Sequence, residues 1–450
     1  MNINTSLTAE GLKQKAQRVF EASAVKIQSL EKSWNPAQGS PVFTVAGKYT
    51  SRGWTEWTQG FQFGAEILQF DATGEKRYLE AGRQHTVDIM APHVSHIGVH
   101  DHGFNNVSTY GNLLRLMHEG RIEANTWERN FYELALKITG AVQASRWSRT
   151  SDGGGYIYSF NGPHSLFVDT IRSLRALAVS HRLGHALMGE NDRKISLLGR
   201  LADHARATAK YSVYYGEGRD HYDVGGRTAH ESVFNTNDGN YRCPNSQQGY
   251  SPFSTWTRGL AWAMLGFAEE LEFLDTLTDA DLEPFGGKAA LAGIMRKAAE
   301  ATCDFYIANT ALDGIPYWDT GAPGMLRLEG WQDRVSDPFN HHEPIDSSAA
   351  AIGAQGLLRL GRYLKNSTYW QAGLTVCDSL FAEPYLSTDP NHQGLILHSV
   401  YHRPNGWDRM PDSDGVPRGE SSMWGDYHAR EAALYILRLA EGKPYLTFWS

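Results

Sequence analysis

Apolar residues recur at i, i+3, i+4 and i+7 along the whole chain, the spacing of one buried helical face. The pattern predicts helices over 8–33, 57–71, 75–91, 104–119, 125–147, 165–188, 191–213, 255–276, 287–309, 346–364, 366–382 and 422–441. A short motif joins some of them in pairs: FDATGEKRYLEAG, HALMGENDRKISLLG and RYLKNSTYWQAGL each run from a helix end through a polar turn into a new helix. Gly or Asn suits the position after a helix, and Asp, Ser or Thr suits the next N-cap. Turns this short make antiparallel neighbours. Six helical hairpins can stack as an open solenoid or close as a ring. A solenoid keeps a fixed period, whereas the spacing here is irregular. Long segments rich in Gly and aromatic residues, at 92–103, 149–164, 214–254, 311–345 and 384–421, follow alternate helices and would gather at one end of a closed ring. The expectation is therefore an all-α protein, an (α/α)6 barrel with long loops at one end. No Pro- or Ser-rich linker divides it, so residues 1–450 are expected to form one domain.

Composition narrows the partners. Hydrophobic residues make up 41% and charged residues 20%, which fits a folded globular chain. The net charge is −8 and no Lys/Arg run occurs, which argues against nucleic acid and other long polyanions. One or two local arginines still suffice for a small acidic ligand. Three cysteines, Cys243, Cys303 and Cys377, make neither a disulfide framework nor a thiolate zinc site. The start MNINTSLTAEGLKQKAQRVF lacks an apolar signal core, and no run of about 18 apolar residues occurs, so a cytoplasmic protein outside the membrane is expected.

Asp169 lies in SLFVDTIRSL at the start of an apolar helix. Poor solvation there would raise its pKa and suit a general acid; the alternative is a first-turn Asp complementing the helix dipole. Asp101, in HVSHIGVHDHGFNN, precedes another helix, with Gly103 placed for a tight turn. It reads either as an N-cap or as the second of two carboxylates, the usual plan for glycoside hydrolysis. His93, His96, His100 and His102 share that segment, but their spacing fits no zinc motif and favours polar loop or sugar contacts. In STWTRGLAW (254–262), Arg258 offers a planar fork for a carboxylate, and Trp256 and Trp262 fit either sugar stacking or the core. Asp346 and Asp426 begin the helices of DSSAAAIGAQGLL and WGDYHAREAALYI, and Asp346 reads as a cap. Walker, Rossmann and GxSxG motifs are missing, which sets aside nucleotide and serine-hydrolase chemistry.

TEWTQGF (55–61), HDHGF (100–104), the Asp169 helix, STWTRGLAW, YWD (317–319), DSSAAAIGAQGLL and WGDYHAREAAL follow one another in an order that resembles the unsaturated glucuronyl hydrolases, glycoside hydrolase family 88. The resemblance runs from about residue 50 to 437. It implies an (α/α)6 barrel and hydrolysis of a 4,5-unsaturated uronic acid left by polysaccharide lyases. By resemblance Asp169 is the catalytic acid and Asp101 the second essential aspartate, with Trp57, His230, Gln248, Trp256, Arg258 and Trp262 on the sugar. Protonation of C4 of the vinyl ether, addition of water at C5 and opening of the hemiketal would follow, without metal or organic cofactor. The implied partner is a small acidic oligosaccharide, bound by a monomer or homodimer.

The chain departs from the family pattern in places. Tyr156 or Phe160 stands where a Trp is expected before the Asp169 helix, and 214–254 and 398–420 are longer. In the latter, His402, Arg403 and Asn405 are candidates for contact with the next sugar or a sulfate. The nearest rival is an unsaturated galacturonyl (rhamnogalacturonyl) hydrolase of the same fold. An α/α-barrel sugar epimerase or isomerase would need a histidine acid–base pair, and the histidines do not match one. A helical-repeat binding protein fits poorly with long aromatic loops.

Overall fold

Every second helix of the chain is buried on all sides, and this alternation sets the architecture. The computed structural model describes residues 1–53 and 56–449; Thr55 of the 55–61 motif lies outside them. Among the described residues, twelve principal helices occur: α1 (Ala9–Ser33), α2 (Gln59–Thr73), α3 (Lys76–Ile89), α4, α5 (Thr126–Ser145), α6, α7 (Leu197–Tyr211), α8 (Thr257–Asp275), α9 (Lys288–Ala308), α10 (Ser347–Leu364), α11 (Ser367–Leu380) and α12 (Met423–Ala440). Helix α4 is His102–Asn106, a π turn Val107–Gly111, and Asn112–His118; α6 is Thr170–Ser173 followed by Arg175–Arg182.

The even-numbered helices are buried along nearly their whole length. Each touches the next, and α12 returns to α2, so they close an inner ring. The odd-numbered helices bury one stripe, as in α1 with Leu12, Ala16, Val19, Phe20 and Ile27, and form the outer layer. Helix α1 packs on α12, joining the two ends of the chain. Small residues let the inner helices approach: a side-chain carbon on Gly356 of α10 would meet the Met264 carbonyl carbon at 2.8 Å. The ring is therefore closed and the open array is set aside.

The ring interior is not purely apolar. Arg172 of α6 meets Glu269 of α8 at 2.8 Å and Glu431 of α12 at 3.2 Å, and Arg359 of α10 meets Glu272 at 2.7 Å. These buried pairs girdle four inner helices.

Short strands, invisible to a search for helical periodicity, decorate the loops: β1 (Phe43–Val45) with β2 (Lys48–Thr50), β3 (Trp147–Arg149) with β4 (Gly155–Ile157), β5 (Ser165–Phe167), β6 (Leu187–Met188) with β7 (Lys194–Ile195), then β8 (Glu231–Phe234) and β9 (Tyr241–Asn245). Two expected helices are corrected by them. The helix expected over 165–188 begins at Thr170, because Ser165–Phe167 pair antiparallel with Glu231–Val233. The helix expected from 191 begins at Leu197, capped by Ser196, because 187–195 fold back as a hairpin. Among the described residues no helix is long and apolar enough to cross a membrane.

Candidate active site

The inner helices begin at one end of the ring around a cavity of about 420 Å³, within the usual size of small-molecule sites. Trp57, Asp101, Asp169 and Trp256 sit just before α2, α4, α6 and α8 and line it. Asp346 and Trp424, at the starts of α10 and α12, stand behind the wall. Helix N-termini carry partial positive charge, so this end of the ring favours an anion although the protein is acidic overall. Four of the five long loops supply wall residues. The fifth backs them, with Trp318 accepting a hydrogen bond from the Thr257 amide.

Asp101 and Asp169 occupy N-cap positions, yet neither side chain caps its helix. Both carboxylates turn instead to one imidazole. His100 Nε2 lies 3.2 Å from Asp169 Oδ1 and 3.7 Å from Asp101 Oδ1. All three side chains are almost fully buried. Gly103 is needed here for proximity rather than for a left-handed turn: a side-chain carbon on it would meet the Ser173 carbonyl at 2.1 Å, so it lets α4 and α6 bring their acids together.

The charge balance reverses one expectation. Burial disfavours ionised Asp169, but His100, His230 and Arg258 outweigh it and hold its carboxyl below the ordinary range. Burial, helped by the charge of Asp169, pushes Asp101 upward. His100 is buried too, and the two aspartates still raise its pKa. The resting site thus holds an ionised Asp169, not the protonated acid expected from its apolar sequence neighbours.

His230 has a defined tautomer. The amides of Gln247 and Gln248 both donate to its Nδ1 at 3.1 Å, so the proton sits on Nε2, 3.9 Å from Asp169 Oδ2. Burial lowers its pKa to about 4, so it is a neutral donor aimed at the acid.

Arg258 is corrected in role. Its Nη1 meets Asp346 at 2.9 Å and the Val400 carbonyl, and its Nη2 donates to Gln248 Oε1 and the Tyr401 carbonyl, each at 2.8 Å. The fork expected for a ligand carboxylate is occupied by Asp346 of its own chain. Arg258 lines the cavity and anchors Gln248 and the 400–401 backbone.

Aromatic rings make the remaining wall. Trp57 stacks on Trp424 with centroids 5.2 Å apart, Trp262 meets Phe104 at 4.8 Å, and Trp256 meets His230 at 4.5 Å. Phe160 faces the cavity and stacks on His100 at 5.9 Å. The tryptophans are both core and wall. Tyr156 is not: it is fully buried against Leu166, Tyr211 and Phe234, with its hydroxyl on the Pro163 carbonyl. Of the 398–420 segment, His402 and Asn405 reach the cavity, while Arg403 turns away to the Gly415 carbonyl. His102 bonds Thr139 and the His96 carbonyl, and His93 lies beside Asn105; neither lines the cavity. Gln247, Tyr401 and Trp407 line it without having been singled out. The NGWD turn around Trp407 was the available signal, since a large aromatic held in a polar turn has no helical stripe to join.

No protein-family model matches the chain. The unsaturated glucuronyl hydrolase of Formosa agariphila is 26% identical over 381 residues, covering 84% of this chain and 79% of that one. That of Bacillus sp. strain GL1 is 26% identical over 418 residues, covering 89% and 91%. The Bacillus sp. GL1 crystal structure superposes with a TM-score of 0.69 at 21% identity, over 97% of this chain and 98% of that one. A variant unsaturated glucuronyl hydrolase from Streptococcus agalactiae complexed with dGlcA-GalNAc6S superposes with a TM-score of 0.64 at 19% identity, over 97% and 94%. The chain thus resembles the unsaturated glucuronyl hydrolases over most of both sequences, and it shares the fold of the solved ones.

Proposed function

We propose that the chain is a glycoside hydrolase that releases a 4,5-unsaturated uronic acid from the non-reducing end of lyase-generated oligosaccharides. The observation that carries this reading is the convergence of Asp101 and Asp169, distant in sequence, on one imidazole nitrogen in an aromatic-walled, sugar-sized cavity. The reaction is hydration of the C4=C5 vinyl ether. Asp169 delivers a proton to C4, and positive charge develops at C5 and the ring oxygen. Water adds at C5 and gives up a proton to the Asp169 carboxylate; the resulting hemiketal opens and the aglycone leaves. Asp101 holds the ring and sets the charge beside Asp169. Stacking on Trp57, Trp256 and Trp262 suits the apolar faces of the sugar. The N-termini of the inner helices suit its carboxylate. We place the enzyme in the cytoplasm, as one catalytic domain. Its three cysteines are unpaired, which fits a reducing compartment.

The test is loss of the ultraviolet absorbance of the C4=C5 chromophore when the protein meets a panel of unsaturated disaccharides. Asp169→Asn should keep the fold and lose roughly 10³-fold in kcat. Near-wild-type turnover in that variant would remove Asp169 from the mechanism.

A further inference from the structure

An acid that must protonate carbon is best stocked with a proton, yet the surroundings of Asp169 hold it ionised. The proton therefore has to wait nearby. His100 is the group that touches both aspartates, with Nε2 at 3.2 Å from one and 3.7 Å from the other. Its position is fixed from several sides. Its carbonyl accepts from Gln143 Nε2 at 2.8 Å and Ser173 Oγ at 2.7 Å. Its ring stacks on Phe160 and meets Phe167 edge-on at 5.5 Å. His230 cannot substitute, because two backbone amides occupy its Nδ1 and leave it neutral.

We propose that His100 is a positioning residue that stores the proton of the resting site and passes it through Nε2 to Asp169 when the anionic substrate enters. The inference rests on the hydrolase reading above. The substrate carboxylate brings negative charge and displaces water, and both changes favour a protonated Asp169 over an ion pair. The proton then moves from His100 Nε2 to Asp169 Oδ1 and on to C4. The proton released by the attacking water returns to Asp169 and recharges His100, so one water is consumed and the side chains are restored.

The charged and titratable groups facing His100 from its neighbours are Asp101 beside it, Asp169 before α6, Arg146 after α5, His102 in α4, His204 on α7 and His230 immediately before β8. The two aspartates favour its charge and Arg146 opposes it. Burial keeps His102 and His204 neutral down to about pH 3.

The test is the pH profile of kcat and kcat/KM for wild type and His100→Gln on an unsaturated disaccharide. Glutamine keeps an N–H donor but cannot store a proton. We expect kcat to fall about 100-fold with KM within a few-fold, and the alkaline limb to move at least one pH unit toward acid. An unchanged profile, or a loss confined to thermal stability, overturns the proposal. Should His100→Gln not fold, nitrogen NMR of the wild type decides. A doubly protonated His100 ring persisting above pH 6.5, assigned through its contacts with Phe160 and Phe167, supports the proposal; a neutral ring at pH 6 overturns it. A wild type inactive on every unsaturated uronide would instead defeat the hydrolase reading.

Discussion

Asp101, Asp169 and Asp346 all precede inner helices, and only Asp346 caps its helix, accepting from the Ser348 amide at 3.0 Å. The same side chain therefore does different work according to what surrounds it. Asp346 also takes the guanidinium of Arg258 at 2.9 Å, with both groups fully buried. Removing its charge leaves a buried cation uncompensated, which costs about 3–5 kcal/mol. Asp346→Asn should thus unfold at markedly lower denaturant concentration. Asp101→Asn should behave in the opposite way. Burial already disfavours the Asp101 charge, so its loss should leave the midpoint of denaturation unchanged or raised while kcat falls about 100-fold. Equal destabilisation of the two variants would contradict this division. The sequence pattern placed all three at helix starts and read Asp346 as a cap, which the structure bears out, but left Asp101 and Asp169 open, because capping depends on whether the carboxylate turns back to its own amides or outward to a histidine. Arg258 shows the same limit: its fork was legible as a carboxylate binder, but not that the carboxylate was Asp346.

At the scale of elements, helices were legible because each inner or outer helix repeats one burial pattern over several turns. Ser165–Phe167 was not, since its strand exists only through pairing with Glu231–Val233, some sixty residues later. That pairing is what stops the chain from continuing as helix and sets Asp169 at a junction. The 398–420 segment is shaped by polar contacts within itself. Asp408 accepts from the amides of Tyr401 and His402, at 2.5 and 2.9 Å, and folds the segment over the cavity. Trp407 is thereby presented to the cavity, packed against Tyr401 at 5.2 Å and His402 at 4.8 Å. Trp407 packs on Tyr401 and His402 rather than on either acid, so it is expected to serve as cavity wall rather than in the chemical step. Trp407→Ala should then raise KM several-fold with kcat nearly kept, the signature of lost uniform binding. A fall in kcat at unchanged KM, measured on the same unsaturated disaccharide, would place Trp407 in the chemical step.

Over the whole molecule, the barrel buries many ionisable groups, and their opposing shifts set its response to acid. His93, His102, His204, His230, His398, His402 and His428 are buried and pushed down to about 3 or 4, in each case chiefly by loss of solvent. As pH falls through 6.5 they take up protons in the unfolded chain but not in the folded one, which drains stability. Buried carboxyls act the other way. Burial raises Glu66 and Glu272 to about 7 and Asp319 and Asp408 to about 6, with Glu270 well above its usual range, so the folded state takes up those protons first. Between pH 7 and 5 the two sets nearly offset each other. Below about pH 4.5 the offset ends, because the raised carboxyls are protonated in both states. Glu420 and Glu431 then add to the loss. Burial opposes their charge, but hydrogen bonds to Glu420, and Arg172 and Arg175 beside Glu431, hold both at about 2. Their unfolded forms protonate near the ordinary range while the folded forms resist, so Glu420 and, within the girdle, Glu431 keep their charge until the chain unfolds. Calorimetry should accordingly give a nearly level Tm from pH 7 to 5 and a steep fall from about pH 4.5 downward. A steep decline starting at pH 6.5 would mean that the carboxyls do not offset the histidines, and a level Tm at pH 3.5 would mean that Glu420 and Glu431 are not held ionised.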